Sequence, residues 1–455
     1  MAALQENKMG VMPVKKLIIN MSLPMMASML VQALYNIVDS AFVSFYDSRY
    51  ALAAVTLAFP MQNLMFSLIA GTGVGVNALL SQSLGEKEYE RSDKTANMAI
   101  LLTFLTYLAA CALGFLIADK FIASQTSTPE VREYGATYLR ICMTLSIGMY
   151  FQVMLERLLQ STGRTFHSMI SQMTGAIVNI IFDPIMIFGL LGFPRMGVAG
   201  AAYATVLGQC VAACIGLYLN LTKNTDIHLS IRSVLAPNRW IIGRIYYVGV
   251  PSIFMIAIGG VMTYSINLIL GGFKAIADTA QAVFGAYFKL QSFIFMPVFG
   301  LNNGLIPILA YNYGARNRSR IREALNFSIR LAIMIMIVGT FVFELFPAQL
   351  LGLFNASDEM LRLGVPALRI IGVHFPLAGA AISLGSVFQA FSKSIYSLIT
   401  SVMRQLVVLI PAAFLLSRAF GVTGVWFAFP LAEIMSLIVT TFFFRKIQKT
   451  VLSAL

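Results

Sequence analysis

Twelve long apolar runs leave this 455-residue chain few folds to choose from. They extend over 17–45, 51–81, 95–118, 134–159, 166–191, 197–220, 240–271, 279–311, 322–346, 363–390, 395–417 and 422–444. A helix needs roughly 20 apolar residues to cross a bilayer. Inside hydrocarbon, only helices and closed barrels satisfy every backbone donor and acceptor. Only 11% of the residues are charged, against about 25% in soluble domains. The chain is therefore predicted to be an all-α integral membrane protein with 12 transmembrane helices. The longest polar segment, 221–239, contains Lys223, His228, Arg232, Pro237 and Arg239 and reads as a linker between two six-helix halves, 1–220 and 240–455.

The net charge of +13 does not point to nucleic acid, because basic residues of a membrane protein collect on its cytoplasmic face. Alternating the runs across the membrane puts Arg49, Lys120, Arg132, Arg195, Lys274, Arg362 and Arg418 on one side and roughly twenty Lys and Arg on the other. The second side, with both termini, is predicted to be cytoplasmic. The first apolar run is too long for a signal-peptide core and lacks a small-residue cleavage pattern. Four cysteines without a C-x-x-C and three scattered histidines give no zinc-site spacing. With no H-E-x-x-H, G-x-S-x-G or phosphate-binding loop, no enzymatic motif is visible.

The chain repeats itself. Gln62 and Gln291, Gly71 and Gly300, Gly75 and Gly304, Gly85 and Gly314, Asn97 and Asn326, Arg140 and Arg369, Gln160 and Gln389, and Ser168 and Ser397 are all 229 positions apart. Later the shift becomes 224, pairing Gly197 with Gly421 and Gly200 with Gly424. A constant shift over so many positions marks a duplication. Six helices per half give both halves the same orientation, as in parallel repeats related by an axis along the membrane normal. Features shared by both halves read as structural: the glycines as close-packing positions, Arg140 and Arg369 as anchors reaching the outer interface. Features present once are candidates for function.

Asn179 and Asp183 are such features; the shift carries them to Val408 and Ala412. Four residues apart on a helix, they share one face. Pro184 follows and frees the carbonyl one turn back. Asp39 in the first run is also unmatched. At 1.5 Å per residue, Asp39, Asn179, Asp183 and Thr205 reach similar depths on three helices. Gln32, Tyr35 and Asn36 share helical faces with Asp39 and are candidates to line the same pocket. Acids inside a membrane are rare and mark ion or substrate pathways. Close carboxylates raise one another's proton affinity. The same oxygens suit a hard cation such as Na⁺. The residues leave both H⁺ and Na⁺ open, and imply no other metal. In the second half, Lys289, Gln291 and Arg404 are cavity candidates, with pairing of Lys289 or Arg404 to Glu433 as the alternative.

Ser22-Leu23-Pro24, Tyr35-Asn36-Ile37-Val38-Asp39, Gly75-Val76, Leu84-Gly85, Gly163, Asn179-x-x-x-Asp183-Pro184 and Gly197-x-x-Gly200-Ala201-Ala202 occur in this order along the twelve runs. In these the chain resembles the multidrug and toxic compound extrusion (MATE) transporters, prokaryotic members above all. The resemblance implies two pseudo-symmetric six-helix bundles around a central cavity. It implies antiport of organic, often cationic aromatic, compounds against H⁺ or Na⁺. Cation coupling would fall to Asp39, Asn179, Asp183 and Thr205. The chain departs from some members in lacking an acid in the seventh, eighth and tenth runs. The expected setting is a monomer in a prokaryotic cell membrane, with small organic substrates, no nucleic-acid partner and no cofactor beyond the coupling ion. A flippase for lipid-linked precursors, of the same superfamily, is the alternative reading.

Overall fold

The computed structural model describes residues 7–46, 50–354 and 356–453; Arg49 lies outside them. The described residues form helices and no strand, as backbone in hydrocarbon requires when it satisfies itself. In order these are α1 (Lys8–Val11), α2 (Val14–Tyr46), α3 (Ala51–Gly85), α4 (Tyr89–Ala123), α5 (Pro129–Thr144), α6 (Ile147–Ser161), α7 (Thr165–Phe188), α8 (Val198–Thr222), α9 (Ile231–Val234) and α10 (Arg239–Gly271). There follow α11 (Ala277–Gly314), α12 (Arg318–Leu345), α13 (Pro347–Gly352), α14 (Asp358–Gly372), α15 (Phe375–Ala390), α16 (Ser394–Val402), a π-helical stretch (Met403–Leu409), α17 (Ile410–Phe420) and α18 (Val422–Ile447). Ten spans run unbroken, and the bent pairs α5–α6 and α14–α15 bring the number to twelve.

The apolar runs 134–159 and 363–390 are thus each built from two helices. α5 meets α6 at 48°, and α14 meets α15 at 46°. The breaks recur within one residue of the repeat distance, at Leu145 and Ser146 in the first half and at Val373 and His374 in the second. At the first break the Ser146 hydroxyl donates to the Met143 carbonyl at 2.7 Å, a local bond that competes with the helical ladder. At the second, Pro376 occupies the first turn of α15, where its missing N–H costs nothing.

The duplication is written into the backbone as well. Left-handed residues recur at Lys87 and Arg316, at Gly163 and Ser392, and at Gly197 and Gly421. Arg140 and Arg369, expected as interface anchors, each also pair with an acid of an earlier helix, Asp119 of α4 and Glu344 of α12 respectively.

Contacts divide the chain into two compact units. Among the described residues, the first takes 7–8 and Ala27–Ile253; the second takes Met9–Met26 and Phe254 onward. The opening part of α2 thus belongs to the second unit and that of α10 to the first. Both exchanges rest on glycine faces, which sequence analysis reads as packing positions. A Cβ added to Gly75 would fall 2.1 Å from the Ile245 carbonyl oxygen of α10. One added to Gly304 would fall 2.8 Å from the Ser22 Cα of α2. Backbones approaching this closely admit no side chain between them. The first unit's core includes Met65, Leu80, Leu139, Met154, Ile187 and Ile245. The second buries Trp426, Tyr287 and Phe343 completely or nearly so.

Gly75→Ala and Gly304→Ala should each lower the thermal midpoint of the purified protein, because overpacking costs about 1–3 kcal/mol. A midpoint equal to wild type in both would show that the contacts yield freely.

Candidate functional site

α7 carries Ser171, Gly175, Asn179, Asp183 and Ile187 on its buried face, one every turn. This face lies against α8. At the crossing, a Cβ on Gly175 would fall 2.9 Å from the Gly208 carbonyl oxygen, and one on Gly208 would fall 2.6 Å from the Gly175 carbonyl oxygen. Two glycines therefore set the helix separation one turn from Asn179 on α7 and three residues from Thr205 on α8. The Asn179 amide reaches both neighbours: Nδ2 donates to Asp183 Oδ1 and to Thr205 Oγ1, each at 3.3 Å. Asp183 is fully buried, and Asn179 and Thr205 nearly so.

α2 brings the second acid. The Asp39 carboxyl stands within hydrogen-bonding reach of Asp183. Tyr35, one turn before it, brings its hydroxyl within reach of Thr205. Lower on α2, Gln32 Oε1 accepts from Gln172 Nε2 of α7 at 3.1 Å, tying the two helices together. The three-helix convergence expected from the sequence is present for Asp39, Asn179, Asp183 and Thr205, with Tyr35 among them. Asn36 is exposed on the same helix.

The site is wider than the sequence reading. Tyr138 and Cys142 of α5 lie in the field of Asp39, and Gln62 of α3 donates to the Tyr138 hydroxyl at 3.5 Å. A signal for two of them existed. Under the 229 shift, Tyr138 and Cys142 fall on Ala367 and Ile371, so they too are present in one half only. Gln62 is matched by Gln291, which hid it.

What the site lacks is as informative as what it contains. Among the described residues, no Lys or Arg interacts with Asp39 or Asp183. Asp39 Oδ1, Asp183 Oδ2 and Asn179 Oδ1 are buried with no hydrogen-bond partner. Buried charges are ordinarily paired or coordinate a cation. One oxygen from each of the two acids and the Asn179 amide oxygen are thus left without a donor. No cluster of three or more His, Cys, Asp or Glu able to hold another metal occurs among the described residues.

The second-half candidates do not join this site. Lys289 is exposed, its Nζ 6.0 Å from the centre of the Phe354 ring. Gln291 is half-buried. Arg404 takes the pairing alternative: its Nη1 lies 3.3 Å from Glu433 Oε2.

A multi-span all-α chain with two acids close together on its membrane helices has the make-up of a membrane transport protein. The chain belongs to the MatE family, whose model matches residues 24–185 and 251–415, in agreement with the resemblance drawn from its motifs. It is 26% identical over 418 residues to the multidrug export protein MepA of Staphylococcus haemolyticus (strain JCSC1435), a match covering 92% of this chain and 90% of that protein. It is 26% identical over 422 residues to MepA of Staphylococcus aureus (strain MRSA252), covering 92% and 91%. Among solved structures, it matches an outward-facing multidrug resistance MATE family transporter of the MOP superfamily with a TM-score of 0.93 and 26% identity over 100% of both chains. A MOP superfamily transporter from Pyrococcus furiosus matches with a TM-score of 0.92 and 25% identity over 99% of both.

Because neither acid has a cationic partner to strand, Asp39→Asn and Asp183→Asn should leave the thermal midpoint at neutral pH equal to wild type or above it. A large fall in either would mean that the carboxylate has a structural counter-charge.

Proposed function

We propose that this protein is a cation-coupled antiporter exporting organic, often cationic aromatic, compounds by alternating access. It works in a prokaryotic cell membrane with both termini cytoplasmic. The observation that carries the reading is the pair Asp39–Asp183, half-buried and fully buried respectively, without a Lys or Arg beside it. H⁺ or Na⁺ entering from outside neutralises the pair. Carboxyls so neutralised no longer demand hydration, and α2 repacks, bending near Pro24. The repacked surface holds cargo less well, and cargo leaves outward. The loaded carrier turns inward, releases the ion and takes up cargo again. Exchange of this kind requires only that ion and cargo favour different conformations. One charge moving down 100 mV supplies about 2.3 kcal/mol, worth more than tenfold in cargo gradient.

The flippase reading asks for a cavity rich in uncompensated basic groups. Of the basic cavity candidates Lys289 and Arg404 that make it worth testing, Arg404 is paired with Glu433, so antiport is the better supported reading.

Reconstituted in proteoliposomes, the protein should export a fluorescent organic cation when a pH gradient or a Na⁺ gradient is imposed singly; whichever gradient drives it identifies the coupling ion. Asp39→Asn and Asp183→Asn should each abolish export while reaching the membrane in normal amounts. Normal export by both variants would refute the scheme.

A further inference from the structure

Gln32 and Asp39 stand seven residues apart on α2, and Gln172 and Asn179 stand seven apart on α7. Residues so spaced share a helical face two turns apart, about 10 Å along the axis. The two helices meet at both levels. At the lower one, Gln32 Oε1 accepts from Gln172 Nε2 at 3.1 Å. At the upper one, the Asp39 carboxyl stands within reach of Asp183, one turn beyond Asn179. Both contacts lie in the first unit, which takes α2 from Ala27 onward. Seven residues beyond Asp39, the Tyr46 ring rests on Gly197, where a Cβ would fall 2.5 Å from Tyr46 Cζ. The Arg195 guanidinium stands 5.1 Å from the centre of that ring. α2 is thus held below its acid, at it and above it.

These ties differ in kind. A ring against glycine is an apolar contact with little directional preference. Two carboxylates repel when both are ionised, so the acid pair does not hold α2 in place by itself. The amide pair is a directional and uncharged tie between α2 and α7. In coiled coils a single polar position fixes the register of the paired helices, because a slip leaves donor and acceptor unpaired and costly. Gln32 and Gln172, both half-buried, have that arrangement. The 229 shift carries them to Val261 and Ser401. The amide pair, like the acid pair, therefore occurs in the first half only.

We infer that Gln172 is a positioning residue: through Gln32 it sets the register of α2 on α7 that brings Asp39 to Asp183. A slip of α2 by one turn moves Asp39 by about 5.4 Å, which breaks the acid pair. The inference rests on the antiport reading for its consequence in transport, and on geometry alone for its effect on α2.

Gln172→Met and Gln32→Met each remove the bond while keeping a straight side chain of similar length. Each should raise the ion concentration that gives half-maximal export from proteoliposomes about threefold, the worth of one hydrogen bond between membrane helices. The double variant should raise it no further, since both changes break the same bond. Gln172→Met should leave the cargo concentration for half-maximal export unchanged. Gln32→Met tests the bond from the other side should Gln172→Met not fold. A second measurement does not need transport. Spin labels replace the exposed Phe45 of α2 and Ile177 of α7, attached through unnatural amino acids that leave the four native cysteines in place. In lipid nanodiscs the full-length protein should give one distance, and either amide variant should add a second population. If no ion gradient drives the wild type, the antiport reading falls and the label distances alone decide the inference. Distances equal to those without the amide substitutions overturn it. So does an unchanged ion half-saturation in an ion-driven carrier, or effects that add in the double variant. A change in cargo half-saturation confined to Gln32→Met also overturns it, by making Gln32 a cargo contact.

Discussion

Two carboxyl groups brought together in an apolar interior, with no cationic side chain to offset them, set the terms for the first unit. Ionised together at short range they repel, and a low-dielectric surrounding strengthens that repulsion. The arrangement persists because α7 and α8 are pinned by their mutual glycines, which hold Asn179, Asp183 and Thr205 in fixed relation. Asp39 arrives separately, on α2. That helix is the one element of the site that continues into the second unit, through Met9–Met26.

Duplication shaped the scaffold and spared the chemistry. The left-handed turns, the glycine faces and the bends recur from one half to the other. The buried acids do not. The first unit holds an acid pair with oxygen and hydroxyl neighbours; the second holds an Arg–Glu pair and a buried imidazole. Packing solutions survive copying because they depend on backbone approach, which both halves need. A buried charge is costly wherever it is not used, so each half keeps its polar group at its own position.

The twelve spans were legible because hydrocarbon permits a long apolar run almost nothing except helix. Asn179 and Asp183 were legible because helical periodicity puts them on one face and the repeat shows them unmatched. Asp39 and Thr205 required an estimate of depth from residue counts, which serves where a helix is continuous, as α2 and α8 are. Tyr138 and Cys142 are also unmatched by the repeat, but an uncharged tyrosine and cysteine do not stand out within an apolar run. Arg404 was open between cavity and pairing, since no sequence rule tells which of two cations reaches Glu433.

The amino-acid order by itself determined the class of protein, the count of spans, the duplication and the residues of the acid cluster. These follow from hydropathy, periodicity and internal comparison, which are properties of the chain read along its length. Only the tertiary structure decided where the units divide, which oxygens remain without donors and which cation neutralises Glu433. Those depend on distances of a few ångströms between residues far apart in sequence, set by which backbones glycine allows to touch.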